Sequence, residues 1–454
     1  MSVIKAYDVR GLVPDELDAA TVRQIGAAFA ELTRPADEPH PGVVLGRDAR
    51  VSSPELAEAF AAGVAQQGVP VVDIGLASTD LLYFASGTWA LPGAMITASH
   101  NPGQYNGVKL CRAGAVPVGQ DSGLGEIAAA VGAGDLGGAR GTPGLVSPAS
   151  ALPDYVRYLH ELVPLAGLRP LRVVVDAGNG MAGLTVPAVL AGTPVEVDGL
   201  YLDLDGTFPN HPADPLDPAN LRDLQRRVRS IGADLGLAFD GDADRCFVVD
   251  GEGKPIDPSV LTALIAVREL ARHPNATILH NVITSRVVPE VVLGHGGTPV
   301  RTRVGHSFIK AKMAETGAVF GGEHSGHFYF ADFWRADSGL LAALHVLAAL
   351  GQTALGTPLS DLVAPYQTYL RSGEINSSVA FPNDVIEAAR QQWRAEPGVT
   401  LDDMDGLTVS TDSWWFNLRP SNTEPLLRLN VEATDQATME SVRDEALAFV
   451  RDRA

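Results

Sequence analysis

Three times along this chain a short apolar run, a loop, a helical periodicity and a second apolar run follow one another. In residues 15–75, Val22, Ile25, Phe29 and Leu32 step by three and four and predict a helix face. "GVVLG" then reads as a buried strand. "SSPELAEAFAAGVAQQG" reads as a helix with Ser53 as N-cap, Pro54 at the first helical position and Gly68 just past the end. "VPVVDIG" supplies the next strand. The same order recurs at 171–198 ("LRVVVDAGNGMAGLTVPAVLAGTPVEVD") and at 276–323, with strand "ATILHNV", helix "SFIKAKMAETG" and strand "AVFGGE". Strands alternating with helices argue for parallel sheets.

After about residue 360 the pattern changes. "GEINSSVAF", "GLTVSTDSWWFNLRP" and "LLRLNVEA" read as antiparallel strands, accompanied by helices near 384–395 and 435–452. Linkers are suggested by "GARGTPGLVSPASALP" and by the turn "DGEGKPIDP". The resulting reading is α/β: three domains with mixed or parallel sheets at 1–148, 149–252 and 253–362, then a C-terminal α+β domain at 363–454.

Charge narrows the partners. A formal net charge of −20 argues against nucleic acid and anionic membranes, while local arginines can still attract a small anion. Two cysteines, Cys111 and Cys246, give no disulfide framework. The N-terminus "MSVIKAYDVRG" has no signal-peptide apolar core, and the longest apolar run, "GLLAALHVLAALG", is too short to span a bilayer. A cytoplasmic protein, monomer or dimer, is the expectation.

Four loops carry chemistry. "DGDADR" lies between the apolar runs "LGLAF" and "CFVVD", so Asp240, Asp242 and Asp244 bring hard oxygens to one point, as Mg²⁺ requires. Arg245 offsets part of that charge or reaches a substrate anion. A plain Asp-Gly turn is the bland alternative, and the EF-hand pattern fails because Arg245 and Gly251 stand where it needs Gly and Glu. "GGEHSGH" alternates Glu323, Ser325 and His327, a mixed donor and acceptor set suited to sugar hydroxyls or simply a polar turn. "RPSNTEP" offers Arg419, Ser421, Asn422 and Thr423, either phosphate-oxygen donors or a capped hairpin. "TASHNP" follows the apolar "AMI", which places Ser99 on a loop at the carboxyl end of a strand, where ligands sit in open α/β sheets. Alone, Ser99 reads as a turn cap. With a metal loop, a hydroxyl-reading loop and a phosphate loop beside it, it reads as a carrier of phosphate in a phosphosugar enzyme. His100 and Lys109 are near in sequence to supply charge or proton transfer. A further match, "GNGMAG" at 178–183 followed by Glu196 and Asp198, is the dinucleotide fingerprint and supports a rival dehydrogenase reading.

Together, "KAYDVRG", "GRDAR", "TASHNP", "DGDADR", "VGHSFIK", "GGEHSGH" and "RPSNTEP" make the chain resemble the α-D-phosphohexomutases, specifically the bacterial phosphomannomutase/phosphoglucomutase group. The resemblance runs along essentially the whole chain. It implies four domains around a central cleft and interconversion of hexose 6-phosphate and hexose 1-phosphate, with mannose and/or glucose as the sugar. It implies Ser99 as phosphoserine and as a further ligand to Mg²⁺ held by Asp240, Asp242 and Asp244. Hexose 1,6-bisphosphate is then the intermediate and activator. Glu323 and Ser325 match sugar-hydroxyl contacts, and Arg419, Ser421, Asn422 and Thr423 match the clamp for the non-reacting phosphate. Lys109, Arg10 and His327 match residues for proton transfer and charge support, while Tyr7 and His306 match cleft positions.

The chain departs from the family near Ile283, where some members carry a lysine that helps hold substrate phosphate. "RPSNTEP" also mixes features of the phosphomannomutase and aminosugar-mutase versions. Phosphoglucosamine mutase is therefore the neighbouring alternative. More distant rivals are a Mg²⁺-dependent sugar phosphatase with Asp240 as nucleophile and a phosphosugar-binding protein without turnover.

Overall fold

The computed structural model describes residues 3–5, 7–35, 41–134, 141–421 and 426–453. The chain forms two compact units. The first comprises Met1–Ile256 with Ser325–Ser360, and the second Asp257–His324 with Asp361–Ala454.

The first unit begins with a mixed sheet. Its strands are β1 (Val9–Leu12), β2 (Val43–Arg47), β3 (Val71–Leu76), β4 (Gly93–Ile96), β5 (Tyr105–Arg112), β6 (Val116–Pro117) and β7 (Val146–Pro148). They are ordered β1-β5-β4-β2-β3-β7, with β6 on β5. β4, β2, β3 and β7 run parallel, and β5 is antiparallel to both β4 and β1. Central strand β2, "VVLGR", is buried along almost its whole length, as a strand covered on both faces must be. Helices Ala19–Leu32 and Ser53–Gln66 cross closely because Gly26 lies against the Phe60 carbonyl and Gly63 against that of Arg23. Phe29 and Phe60 meet in the core beside that crossing.

Ser53 does not cap the second of these helices. It is the first helical residue, Ser52 holds the cap position, and the Ser53 hydroxyl instead donates to Asp48 Oδ1 at 2.5 Å. Its oxygen accepts from Asn106 Nδ2 at 3.0 Å, a side-chain donor that takes the place of the local backbone N–H groups. Gly68, just past the helix, takes the predicted left-handed conformation, with φ +72°.

A second mixed sheet in this unit contains β8 (Leu171–Asp176), β9 (Val195–Leu200), β10 (Leu235–Phe239), β11 (Cys246–Asp250) and β12 (Pro255–Ile256), ordered β12-β11-β10-β8-β9. β10, β8 and β9 are parallel, and β11 returns antiparallel to β10.

In the second unit, β13 (Thr277–Asn281), β14 (Thr298–Thr302) and β15 (Phe320–Gly322) are parallel, with β13 central. The chain then re-enters the first unit as a short antiparallel pair, β16 (Phe328–Phe330) and β17 (Ala336–Asp337). The apolar run that follows forms helix Gly339–Gly351, buried at every residue. Among the described residues, no helix is long and apolar enough to cross a membrane.

The C-terminal part of the second unit is an antiparallel sheet of β18 (Leu370–Ser378), β19 (Thr400–Asp402), β20 (Leu407–Ser410), β21 (Trp414–Pro420) and β22 (Leu426–Ala433), in the order β18-β22-β21-β20-β19. "GLTVSTDSWWFNLRP" is two of these strands, β20 and β21, turning at residues 411–413. Helices Pro382–Arg394 and Gln436–Arg451 accompany the sheet, and Trp393 packs edge-on against Phe416 with ring centroids 4.9 Å apart.

Candidate active site

The chemistry-bearing loops of the first unit emerge from carboxyl ends of parallel strands. β4 ends at Ile96 and releases Thr97–Ser99, and β10 ends at Phe239 and releases the acid loop Asp240–Arg245. Ser99 is only 2% exposed and holds a left-handed backbone with φ +52°. A non-glycine residue keeps that conformation only when its surroundings fix it. Here they do. Ser99 N donates to Thr97 Oγ1 at 2.9 Å, and the Ser99 carbonyl accepts from Arg50 Nη2 at 2.7 Å.

Arg50, inside "GRDAR", is a residue to which sequence reading gave no role. Its guanidinium has five N–H donors, and five acceptors surround it. Nε reaches Asp48 Oδ2 at 3.0 Å. Nη1 reaches the carbonyls of Pro102 and Tyr105 at 2.8 and 3.0 Å, and Nη2 those of Ser99 and Asn101 at 2.7 and 2.8 Å. The ring of Phe208 lies under the guanidinium, 5.0 Å to its centroid. The only available sequence signal was an Asp and an Arg spaced by one residue just after a buried strand.

The Ser99 hydroxyl donates to Asp240 Oδ2 at 2.7 Å and lies 3.2 Å from His100 Nδ1. Asp240, Asp242 and Asp244 are all buried, and each offers one oxygen within 4.8 Å of the others. Lys109, on β5, bridges two of them, with Nζ at 2.6 Å from both Asp242 Oδ2 and Asp244 Oδ2. Thr79 closes the loop from behind: its hydroxyl donates to Asp242 Oδ2 at 2.6 Å and its N–H to the Asp242 carbonyl at 2.9 Å. Thr79 was not foreseen either, since nothing near it in sequence marks it.

The charges sort the three carboxyls. Burial, then the charges of Asp244 and Asp242, hold Asp240 well above the usual carboxylate range. Burial also opposes ionisation of Asp242 and Asp244, but the Lys109 ammonium outweighs it, and both lie below that range. Lys109 itself is raised: the two carboxylates overcome its desolvation. His100 is driven well below its ordinary value, first by Arg245 and then by burial. It is therefore neutral, and its Nδ1 accepts from Arg245 Nη2 at 2.9 Å. Arg245 in turn approaches Asp240 Oδ2, Nε at 3.6 Å. Arg10, on β1, donates from Nη1 to Asn101 Oδ1 at 2.6 Å and pairs with Asp8 at 2.5 Å. His327 Nδ1 lies 2.9 Å from Ser325 Oγ, and its Nε2 is 3.6 Å from Asp244 Oδ1.

The structure thus gathers Ser99, His100, Lys109, Asp240, Asp242, Asp244, Arg245 and His327 in one constellation. Tyr7, partly buried, lies two residues before β1. The acid cluster is suited to a hard divalent cation. Its donors are carboxylate oxygens, and two of them, Asp242 Oδ1 and Asp244 Oδ1, are buried without a hydrogen-bond partner.

"GNGMAG" takes part in this site differently from a dinucleotide loop. A Cβ on Gly180 would lie 2.7 Å from the Gly241 carbonyl oxygen, and Met181 N donates to that oxygen at 2.9 Å. Gly180 admits the acid loop. Asp198 pairs with Arg227.

In the second unit Glu323, 2% exposed, accepts from Gly305 N at 3.1 Å and from Asn281 Nδ2 at 3.2 Å. Of His306, only the backbone at the start of helix His306–Thr316 belongs to the described structure. Arg419 is 8% exposed at the end of β21, and its Nη2 donates to Glu374 at 3.3 Å. It lines a cavity of about 260 Å³ together with Arg303, Arg390 and Asp405. Ser421 follows β21, while Asn422 and Thr423 lie outside the described residues.

Four family models match in succession. They are phosphoglucomutase/phosphomannomutase alpha/beta/alpha domain I over residues 1–136, domain II over 153–253, domain III over 257–369, and the C-terminal domain over 375–448. Among curated proteins, a phosphomannomutase of Salmonella typhimurium is 39% identical over 459 residues, with 98% of each chain covered. A protein of Xanthomonas campestris named phosphohexose mutases is 41% identical over 453 residues, covering 99% of this chain and 98% of its own. A crystal structure of a phosphoglucomutase/phosphomannomutase family protein from Burkholderia thailandensis superposes with a TM-score of 0.88 at 33% identity, covering 99% of this chain and 97% of that one. On this whole-length similarity, the chain belongs to the phosphoglucomutase/phosphomannomutase family.

Proposed function

We propose that this enzyme is a hexose-phosphate mutase that interconverts hexose 6-phosphate and hexose 1-phosphate, with mannose and/or glucose as the sugar. The observation that carries the reading is the Ser99 hydroxyl, held 2.7 Å from Asp240 in a buried acid cluster that also contains Lys109 and abuts Arg245. In the forward half, the phosphoryl group on Ser99 Oγ passes to a sugar hydroxyl. The P–O bond to serine breaks, a P–O bond to the sugar oxygen forms, and the hydroxyl proton leaves to a base. The hexose 1,6-bisphosphate turns over in the site and returns its other phosphoryl group to Ser99. Positioning and charge supply most of the acceleration in such transfers.

Each residue has a part in this reading. Arg50 fixes the Ser99 backbone. Arg245 and Arg10 offer guanidinium groups to phosphate oxygens, and neutral His100 orients Arg245 through Nδ1. Lys109, held protonated by Asp242 and Asp244, suits charge support rather than proton release. His327, beside Asp244 and Ser325, is the better candidate for the base. Glu323 and Ser325 read sugar hydroxyls. Arg419, Ser421, Asn422 and Thr423 hold the non-reacting phosphate, with Tyr7 and His306 lining the cleft. Asp240, Asp242 and Asp244 with Ser99 would hold Mg²⁺, which when bound draws electron density from the phosphoryl oxygens. We also propose the division into segments 1–148, 149–252, 253–362 and 363–454.

Intact-mass measurement tests the central claim. Wild type incubated with hexose 1,6-bisphosphate should gain about 80 Da, one phosphoryl group on serine, and Ser99→Ala should not. A Ser99→Ala preparation with near-normal turnover refutes the reading. If glucosamine phosphate gives the highest kcat/KM of the three sugars, the enzyme is the aminosugar mutase instead.

A further inference from the structure

Behind the acid loop lies a second buried carboxyl that the mechanism does not use. Asp80 is the second residue of helix Thr79–Trp89 and is 1% exposed. Among the described residues no arginine, lysine or histidine pairs with it. Three hydroxyls donate to it instead. Ser78 Oγ reaches Oδ1 at 2.5 Å, while Tyr155 OH and Ser338 Oγ reach Oδ2 at 2.7 and 2.6 Å. These donors come from distant stretches of the chain. Ser78 caps the helix that begins with Thr79 and accepts from Leu81 N at 3.3 Å. Ser338 caps helix Gly339–Gly351 and accepts from Leu341 N at 3.0 Å. Tyr155 belongs to helix Leu152–Leu162.

The two capped helix ends are the ones that touch the acid loop. Thr79, the neighbour of Asp80, holds Asp242 through both its hydroxyl and its N–H. Gly339, the neighbour of Ser338, lies so close to the loop backbone that a Cβ there would stand 2.6 Å from the Arg245 carbonyl oxygen and 2.9 Å from that of Ala243. One carboxyl therefore ties together the two supports between which Asp242, Ala243, Asp244 and Arg245 are suspended. Asp337, next to Ser338, also approaches His327, with Oδ2 3.9 Å from Nε2.

We propose that Asp80 is a positioning residue for the divalent-cation site: by joining the caps of helices Thr79–Trp89 and Gly339–Gly351, it sets the separation of the Asp242 and Asp244 carboxylates and so the affinity for the ion. It touches neither substrate nor ion. The proposal rests on the acid cluster being the metal site of the mutase. A carboxyl with only hydroxyl donors is a poor choice for stability alone. Burial pushes Asp80 up to about 6 in spite of them, and a neutral or apolar group would fill the space without that desolvation. Retaining the charge-bearing group makes physical sense where three converging hydroxyls must be held in one arrangement.

Asp80→Asn keeps the shape and loses one acceptor oxygen. Wild type and variant, matched for Ser99 phosphorylation by intact mass, are titrated with Mn²⁺ alone and free ion is read by electron paramagnetic resonance. The Kd for Mn²⁺ should rise about tenfold or more in the variant, the size typical of an outer-shell change at a metal site. Tyr155→Phe, which removes one donor and leaves the acid loop untouched, should shift Kd in the same direction by less. It also serves if Asp80→Asn does not fold. A lowered melting temperature with Mn²⁺ affinity unchanged in either folded variant makes the node merely structural and overturns the proposal. If wild type takes up no Mn²⁺, the metal reading falls and the proposal with it.

Discussion

Replacing Arg50 by lysine keeps one positive charge at the same place and removes the five-pronged geometry. Lysine has three N–H donors against five, so at least two of the acceptors at Asp48, Ser99, Asn101, Pro102 and Tyr105 must lose their bond. The site is closed to water, with Arg50 1% exposed, so solvent cannot replace them. At about 1.5–3 kcal/mol for each bond to a charged group, the loss is roughly 3–6 kcal/mol, a large share of the stability of an ordinary domain. The effect should also be directional. Three of the carbonyls belong to Ser99–Pro102, so the loop carrying Ser99 loosens first and its strained backbone relaxes. Two measurements follow: urea unfolding of Arg50→Lys, and the rate at which hexose 1,6-bisphosphate phosphorylates its Ser99. Both should fall, with kcat dropping more than KM rises. Unfolding free energy within about 0.5 kcal/mol of wild type, the range of an ordinary surface substitution, together with an unchanged phosphorylation rate, refutes the argument.

Lys109→Met leaves Asp242 and Asp244 without their shared ammonium, so the metal-free protein should lose about 3–5 kcal/mol and regain most of it in Mg²⁺; denaturation midpoints indifferent to both changes contradict this. Gly241→Ala drives a Cβ into the Ser99 carbonyl, an overpacking cost of about 1–3 kcal/mol, and kcat should fall with it; wild-type kcat shows that the loops separate without consequence. Arg419→Ala should raise KM for the monophosphate and release free hexose 1,6-bisphosphate during turnover, and matching wild-type values for both would place the phosphate clamp elsewhere. His211 sits 3.1 Å from both oxygens of Asp176; burial opposes its protonation, yet the Asp176 hydrogen bond and charge outweigh it and raise it above the usual histidine range. The pair's contribution is therefore fully present below the unfolded histidine value and is lost as pH rises through the folded one. His211→Gln should be destabilised relative to wild type at low pH and converge with it at high pH, and a pH-independent difference in unfolding free energy would be the wrong result.

What was legible in the sequence was what depends on neighbours in the chain. The five apolar residues "LGLAF" and the run "CFVVD" mark two strands, so the acid loop between them had to be a strand connection. "AMI" before "TASHNP" placed Ser99 at a strand end in the same way. Illegible was what depends on partners far along the chain. Thr79 meets Asp242 across 163 positions, Ser338 meets Asp80 across 258, and Arg50 meets the Ser99 loop across about fifty. No periodicity records such pairs. The Ser53 cap failed for the same reason: the local rule was sound, but the Ser53 oxygen accepts from the Asn106 side chain 53 positions away. The alternation Glu323, Ser325, His327 named a mixed donor and acceptor set, but only the backbone path decides that Ser325 turns its hydroxyl to His327 while Glu323 is held by Gly305 and Asn281.

Geometry also separates the rival chemistries that residue types alone left open. A phosphatase would need Asp240 as the attacking group, yet Asp240 is fully buried, with one oxygen accepting from Ser99 and the other from Arg245 N. Ser99 stands between Asp240 and His100, with Arg245 and Lys109 close to the acids that flank it. A dehydrogenase would need the turn at Gly178–Gly183 open to a pyrophosphate, and there the acid loop itself occupies the space, Gly241 seated on Gly180 and Met181. That contact explains the glycine at 180, whereas Gly241 is needed because a Cβ there would lie 2.4 Å from the Ser99 carbonyl oxygen. Two loops that each resemble a ligand-binding motif are packed against one another, so one serves as the floor of the other. That leaves the serine, in a chain of net charge −20, as the group around which Lys109, Arg245 and the neutral His100 are arranged.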